Sequence, residues 1–185
     1  MRTLHSLRCT LEPQVVAHAE EMFVVLSDPA IYEYEGVPPP SVELLANGYR
    51  RSEARLIPNG TTPFLNWVVR LPNGELTGYV QATILATGAS YLAFEFSSRY
   101  WRQGIGSAAV SMMLKELVSG YAVHTFVAAL KTKNFRSMGL LTHLGFEPTS
   151  AEQAARYEYD PGDEVVLIKS AASLAQASIT GENAA

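Results

Sequence analysis

The residues with the most readable chemistry lie in one run, Phe94-Glu95-Phe96-Ser97-Ser98-Arg99-Tyr100-Trp101-Arg102-Gln103-Gly104-Ile105-Gly106-Ser107. A strand-like apolar stretch ends in a tight glycine turn. A helical pattern follows it, with Ala109, Val110, Met113, Leu114 and Leu117 at three- and four-residue steps. Such a turn aims the backbone N–H groups of residues 102–107 at one spot, and the helix dipole behind them favours an anion, typically a phosphate or pyrophosphate. Gly104 and Gly106 suit a backbone that approaches a ligand and takes positive φ. The competing reading is a helix start that uses glycine only to turn.

The elements that position this run follow from periodicity. Residues 64–71 and 76–85 are rich in β-branched and aromatic side chains, and Asn73-Gly74 between them is a strong hairpin signal. Gly88 turns the chain into a strand over 91–96, so the three strands form an antiparallel meander. A further apolar strand, 123–130, lies beyond the helix. The crossover makes it parallel to 91–96. Asn134 is placed to cap the next helix, which turns Met138, Leu141 and Leu144 inward and ends at Gly145-Phe146. Residues 157–159 and 165–168, flanking Asp160-Pro161-Gly162, are read as a closing hairpin.

Upstream, Leu4, Leu7 and Cys9 suggest one short strand. Pro13 is placed to open a helix carrying Val15, Ala19, Met22, Phe23 and Leu26, which Asp28-Pro29 stops. Residues 31–34 read as a helical turn. After Pro38-Pro39-Pro40, Ser41 is the expected N-cap of a second helix with Val42, Leu45 and Tyr49. The chain is read as one α+β (mixed α/β) domain over residues 1–170, with a disordered Ala/Ser-rich tail at 171–185.

Composition narrows the function. With 185 residues, 48% hydrophobic and 17% charged, the chain is long enough for a sizeable core. A net charge of -4 argues against a nucleic-acid partner. One cysteine excludes an internal disulfide, and four scattered histidines, His5, His18, His124 and His143, offer no metal-ligand spacing. These histidines are read as ordinary surface or core residues. No apolar run reaches the length of a membrane span, so a cytoplasmic protein with no membrane partner and no metal is expected. The oligomeric state stays open, a homodimer included.

Element order and motifs together resemble the GNAT acyltransferase superfamily. Within it the chain is most similar to the branch that includes the ribosomal-protein N-terminal acetyltransferases. Tyr100-Trp101-Arg102-Gln103-Gly104-Ile105-Gly106-Ser107 resembles the superfamily's Arg/Gln-x-x-Gly-x-Gly/Ala signature. Asn134-x-x-Ser137 followed by Leu144-Gly145-Phe146 is similar to the branch's second signature, and Leu26-Ser27-Asp28-Pro29 and Gly78-Tyr79 also fit. Trp101 at the first motif position is common in this branch. Many members carry a tyrosine acid seven residues after the asparagine; here that position is Leu141, so a tyrosine acid does not carry over.

The resemblance implies a mostly antiparallel sheet with one parallel, splayed pair, N-terminal helices, and helices on both faces. It implies acetyl-CoA as donor and an amine as acceptor. The pyrophosphate would rest on Arg102, Gln103, Gly104, Ile105, Gly106 and Ser107, and the pantetheine arm beside the backbone of Phe96, Ser97 and Ser98. Asn134 would bind that arm, cap its helix, or both, and Ser137 would hydrogen-bond the departing sulfur. Glu95 is the candidate base, since strand alternation sets it with Tyr91 and Ala93, opposite Phe94 and Phe96. A catalytically silent CoA-binding domain of the same fold, a sensor or scaffold, is the alternative. Gly104-x-Gly106-x-x-Ala109 also matches a dinucleotide fingerprint, but that reading needs an acidic residue at the end of the next strand, which here ends at Lys131.

Overall fold

The structure is a computed structural model that describes residues 1–55 and 62–174. Its centre is an eight-stranded sheet in the order β1-β2-β3-β4-β5-β6-β8-β7. The meander is β3 (Phe64–Arg70), β4 (Leu76–Ile84) and β5 (Ala89–Phe96), antiparallel throughout. β6 (Thr125–Lys131) runs parallel to β5, reached through α3 (Ile105–Tyr121), and β8 (Glu164–Ser170) lies antiparallel to β6.

Alternation sorts each strand between two faces. Trp67, Val69, Val80, Ala82, Leu92, Phe126 and Leu167 point to the side covered by α3 and α4 (Phe135–His143), forming the main core with Met113, Leu114, Leu117 and Leu141. Trp67 is fully buried and donates its indole N–H to the Arg2 carbonyl at 3.0 Å. On the opposite face, α1 (Ala19–Leu26) and α2 (Val42–Ser52) cover Val68, Leu76 and Tyr79. The short α5 (Ala151–Ala154) and residues 157–159 cover Ala89, Tyr91, Val127 and Val166. Two caps foreseen in the sequence are present: the Ser41 hydroxyl accepts from Leu44 N–H, and Asn134 Oδ1 from Ser137 N–H.

β5 and β6 pair only at Ala89↔Thr125, Ser90↔Phe126 and Tyr91↔Val127. Beyond Tyr91, β5 stays with β4 to Phe96 while β6 stays with β8 from Ala128↔Leu167 to Lys131↔Glu164. The parallel pair therefore splays, as the family resemblance implies, and a slot opens between its ends.

Three local expectations are corrected. Pro13 does not open a helix. It ends β2 (Thr10–Pro13) opposite Trp67, and α1 starts only at Ala19, after a 3-10 turn over Val16–His18. A proline is tolerated at a strand end, and the ladder with β3 outweighs the local helix preference. The single first strand is a hairpin of β1 (Leu4–His5) and β2 with Leu7 fully exposed in the turn. Residues 157–159 form no strand. β7 (Glu147–Pro148) pairs with β8 instead, while Tyr157 packs edge-on against Tyr91 at 6.1 Å and Tyr91 Oη accepts Glu158 N–H at 2.6 Å. The aromatic alternation there serves burial on the sheet face rather than pairing. Of the segment expected as a tail, Ala171 N–H bonds the His124 carbonyl and Leu174 packs on the main core, and residues 175–185 lie outside the described residues.

Candidate active site

The glycine turn is fastened from several sides. Ser97 N–H donates to the Thr77 carbonyl and Ser98 N–H to Asp28 Oδ2, both at 2.8 Å, so these two amides are already engaged. A 3-10 turn, Ser98–Tyr100, leads into Trp101, whose indole N–H donates to the Phe96 carbonyl at 2.7 Å. Arg102 and Gly104 then take left-handed backbone, φ 62° and 77°. A non-glycine residue held there stores strain of the kind that clusters at ligand clamps. The Gln103 carbonyl accepts from Arg8 and its side-chain amide donates to the Arg99 carbonyl, so Gln103 fixes the turn from outside.

α3 begins here without a side-chain cap. Its first intrahelical bond runs from Ala108 N–H to the Gly104 carbonyl, leaving the N–H groups of Ile105, Gly106 and Ser107 ahead of the ladder. Donors and dipole converge on one point, and the left-handed residues Arg102 and Gly104, on either side of Gln103, curve the backbone around it. Gly106 is favoured by packing: a Cβ there would press on the Leu140 and Phe96 side chains, 2.8 Å from Leu140 Cδ1 and 3.3 Å from Phe96 Cε2. Gly104 is required by its φ, with the nearest atoms of Arg8 no closer than 3.6 Å.

A cavity of about 700 Å3 starts at this turn and passes through the slot between β5 and β6. Arg102, Gly104, Gly106 and Ser107 line it from the turn, and Phe96, Asn134 and Ser137 line it as well. Ser97, Ser98, Gln103 and Ile105 do not line it; Ile105, the first residue of α3, is buried in the main core. Ser137 lines the cavity, and its N–H donates to Asn134 Oδ1. Leu141, at the position where many relatives have tyrosine, is buried in the main core.

Glu95 lines the same cavity, on the face with Tyr91 and Ala93 as alternation predicts, paired across strands with Tyr79. Burial raises the Glu95 carboxyl above its ordinary range; the Tyr79 hydroxyl opposes this and the Glu35 carboxylate adds to it. Burial, with Glu95 next, keeps Tyr79 protonated well above the usual phenol range. Burial and Glu95 likewise push Tyr32 up to about 12. Sequence reasoning missed Tyr34, Tyr79, Trp101 and Arg136 as cavity walls, and His143, read as an ordinary histidine, also lines it. For Tyr79 the signal was present in the meander, since a fixed strand register sets it opposite Glu95. Trp101 stands inside the glycine-turn run itself, and Tyr34, Arg136 and His143 come from segments distant in sequence.

The arrangement is an anion cradle joined to a half-buried carboxylate by a slot between diverging strands. Residues 8–147 match the acetyltransferase (GNAT) domain family. The chain belongs to the GNAT acetyltransferase family. Members of this family carry an acetyl group from acetyl-CoA to an amine. No curated protein matches the sequence. Among solved structures, the chain is similar to a GNAT-family acetyltransferase from Bacillus anthracis, at 17% identity over 92% of this chain and 99% of that one, TM-score 0.73. It is similar to a ribosomal-protein-S5-alanine acetyltransferase from Vibrio fischeri, at 16% identity over 92% and 97%, TM-score 0.73. A ribosomal L7/L12 α-N-protein acetyltransferase in complex with coenzyme A gives 16% identity over 91% and 98%, TM-score 0.76. At these identities the likeness is one of fold. Among the described residues there is no group of His, Cys, Asp and Glu arranged for a metal, and no helix long and apolar enough to cross a membrane.

Proposed function

We propose that this GNAT protein acetylates a primary amine, a protein N-terminus or a small-molecule amine, by direct transfer across the slot between β5 and β6. The observation that carries this reading is that the uncapped start of α3 and the half-buried Glu95 line one cavity. When bound, acetyl-CoA supplies the activated thioester. The cradle residues fit it: the N–H groups of residues 102–107 are disposed for its pyrophosphate, Arg102 adds positive charge, and the diverging strands leave room for an extended arm. Since Ser97 and Ser98 N–H are engaged, the arm's contact with this segment falls to Phe96, which lines the slot.

Glu95 acts as the base, directly or through one water, taking the proton the amine sheds as its nitrogen bonds to the carbonyl carbon. Its raised pKa brings it nearer the working pH, where general bases are most effective. Tyr79 stays protonated and orients the carboxylate. Ser137 donates to the sulfur as the C–S bond breaks, and Asn134 holds Ser137 in place through its N–H. Residues 1–170 serve as one domain, and a lone buried Cys9 suits a reducing, cytoplasmic setting.

The test is calorimetric titration with acetyl-CoA, with CoA and NAD as controls, followed by acetyl transfer to an alanine-initiated peptide, spermidine and an amino sugar. Micromolar binding of acetyl-CoA and CoA but not NAD, with turnover on one amine class, is expected. An absence of acetyl-CoA binding at millimolar concentration overturns the reading.

A further inference from the structure

Arg136 has no role in the chemistry above, yet it joins three segments that are distant in sequence. Its guanidinium lies 4.3 Å from the Trp101 ring centre and 5.1 Å from that of Tyr34, and it forms an ion pair with Glu33. Trp101 belongs to the cradle turn and is pinned to Phe96. Arg136 rides on the first turn of α4, which Asn134 caps. Tyr34 and Glu35 belong to the wall on the Glu95 side of the cavity.

That wall has little else to hold it. Residues 34–40 form no helix or strand and make no backbone hydrogen bond among the described residues. Just before them, Asp28 is tied to Ser98 and the Tyr32 hydroxyl to the Leu26 carbonyl. Beyond Tyr32 the connections are made by side chains. A planar guanidinium stacks on aromatic faces and pairs with a carboxylate at once, which a lysine ammonium does not. The Glu33 carboxyl is held below its ordinary range by this hydrogen bond, in keeping with a formed pair.

We propose that Arg136 is a positioning residue that locks the acceptor-side wall, residues 33–37, onto the turn that cradles the acetyl donor. The inference rests on the acetyltransferase reading for the names of the two sides, and the lock itself is a property of the free protein. Through it, a change at the cradle reaches Tyr34 and Glu35 by way of Trp101 and Arg136, so the donor site sets the geometry of the acceptor site.

The experiment is backbone 15N relaxation on the full chain, wild type against Arg136→Ala and Arg136→Lys, free and with saturating CoA. In the free wild type, the order parameters of residues 33–37 are expected to match rigid backbone, about 0.85, and in Arg136→Ala to fall below about 0.6. Arg136→Lys keeps the charge for Glu33 and loses the flat face, so its values fall between. CoA shifts the amide signals of residues 102–107 in all three proteins, and those of 33–37 in the wild type alone. Equal order parameters for 33–37 in wild type and Arg136→Ala overturn the proposal, as does full restoration by lysine for the stacking. Unmoved signals at 102–107 in the wild type overturn the donor-site reading, while the comparison of free proteins still decides the lock.

Discussion

At Glu95 the chemistry and the cost come from the same burial. Desolvation raises its carboxyl pKa, so the folded protein binds a proton more tightly there than the unfolded chain. Between the ordinary glutamate range near ~4.3 and the raised folded value, stability therefore falls as pH rises. Glu95→Gln is expected to raise the melting temperature at neutral pH, with the gain vanishing once pH drops below the ordinary range. A gain that persists undiminished at acid pH would show that Glu95 ionisation is not its source. The same substitution is expected to lower turnover about a hundredfold. It also alters the pH profile: below the Glu95 pKa the wild type loses activity through two ionisations, the amine's and the carboxylate's, and the variant through the amine's alone. A logarithmic plot of kcat/KM reads this as a slope of about two falling to about one. The facing of Glu95 was legible, because a strand alternates. Its partner Tyr79 was harder to see, since their pairing depends on the register that the turn before Gly88 imposes.

At the scale of the element, the start of α3 divides two glycine requirements that the motif merges. Gly106→Val drives a side chain into Leu140 and Phe96, where α3, α4 and β5 meet, and overpacking of this kind costs about 1–3 kcal/mol. Gly104→Ala meets no such clash, and its cost is left-handed backbone, about 1–2 kcal/mol. Denaturant melts should thus show both destabilised. Separating α3 from α4 should in addition abolish CoA binding in Gly106→Val. Should Gly106→Val bind CoA like the wild type, the packing role assigned to that glycine is refuted. α4 offers a parallel case. Asn134→Ala loses its cap and about 1 kcal/mol, and Asn134→Ser keeps it. If serine restores stability but not activity, Asn134 also acts on the substrate side; if it restores both, capping is its whole role. Elements with local signals, such as the capped helices and the Asn73-Gly74 hairpin, were legible in the sequence. Pro13 and residues 157–159 were not, because their conformations are decided by distant partners, Trp67 and Tyr91.

Across the whole molecule, the sheet is two halves joined by three residue pairs of β5 and β6 and by the helices packed over them. The parallel crossover was readable from the order of elements, and its splay followed from the family resemblance. The walls made by Tyr34, Trp101 and Arg136 were not, since no spacing rule links positions so far apart. A ligand lying in the slot touches both halves and binds only the folded state, so it must stabilise the entire molecule by mass action. At a hundred times its dissociation constant the gain is about 2.7 kcal/mol. For a chain of this size each kcal/mol is worth roughly 2–4 °C, which sets the expected shift in melting temperature at about 5–10 °C. Acetyl-CoA and CoA should both produce it, because cradle and slot hold the parts they share, and NAD should not, because the strand after the turn ends at Lys131 rather than at a ribose-binding carboxylate. An equal shift with NAD would return the cradle to the general class of dinucleotide sites. With no shift from any of the three, the uncapped helix start would be a turn and nothing more.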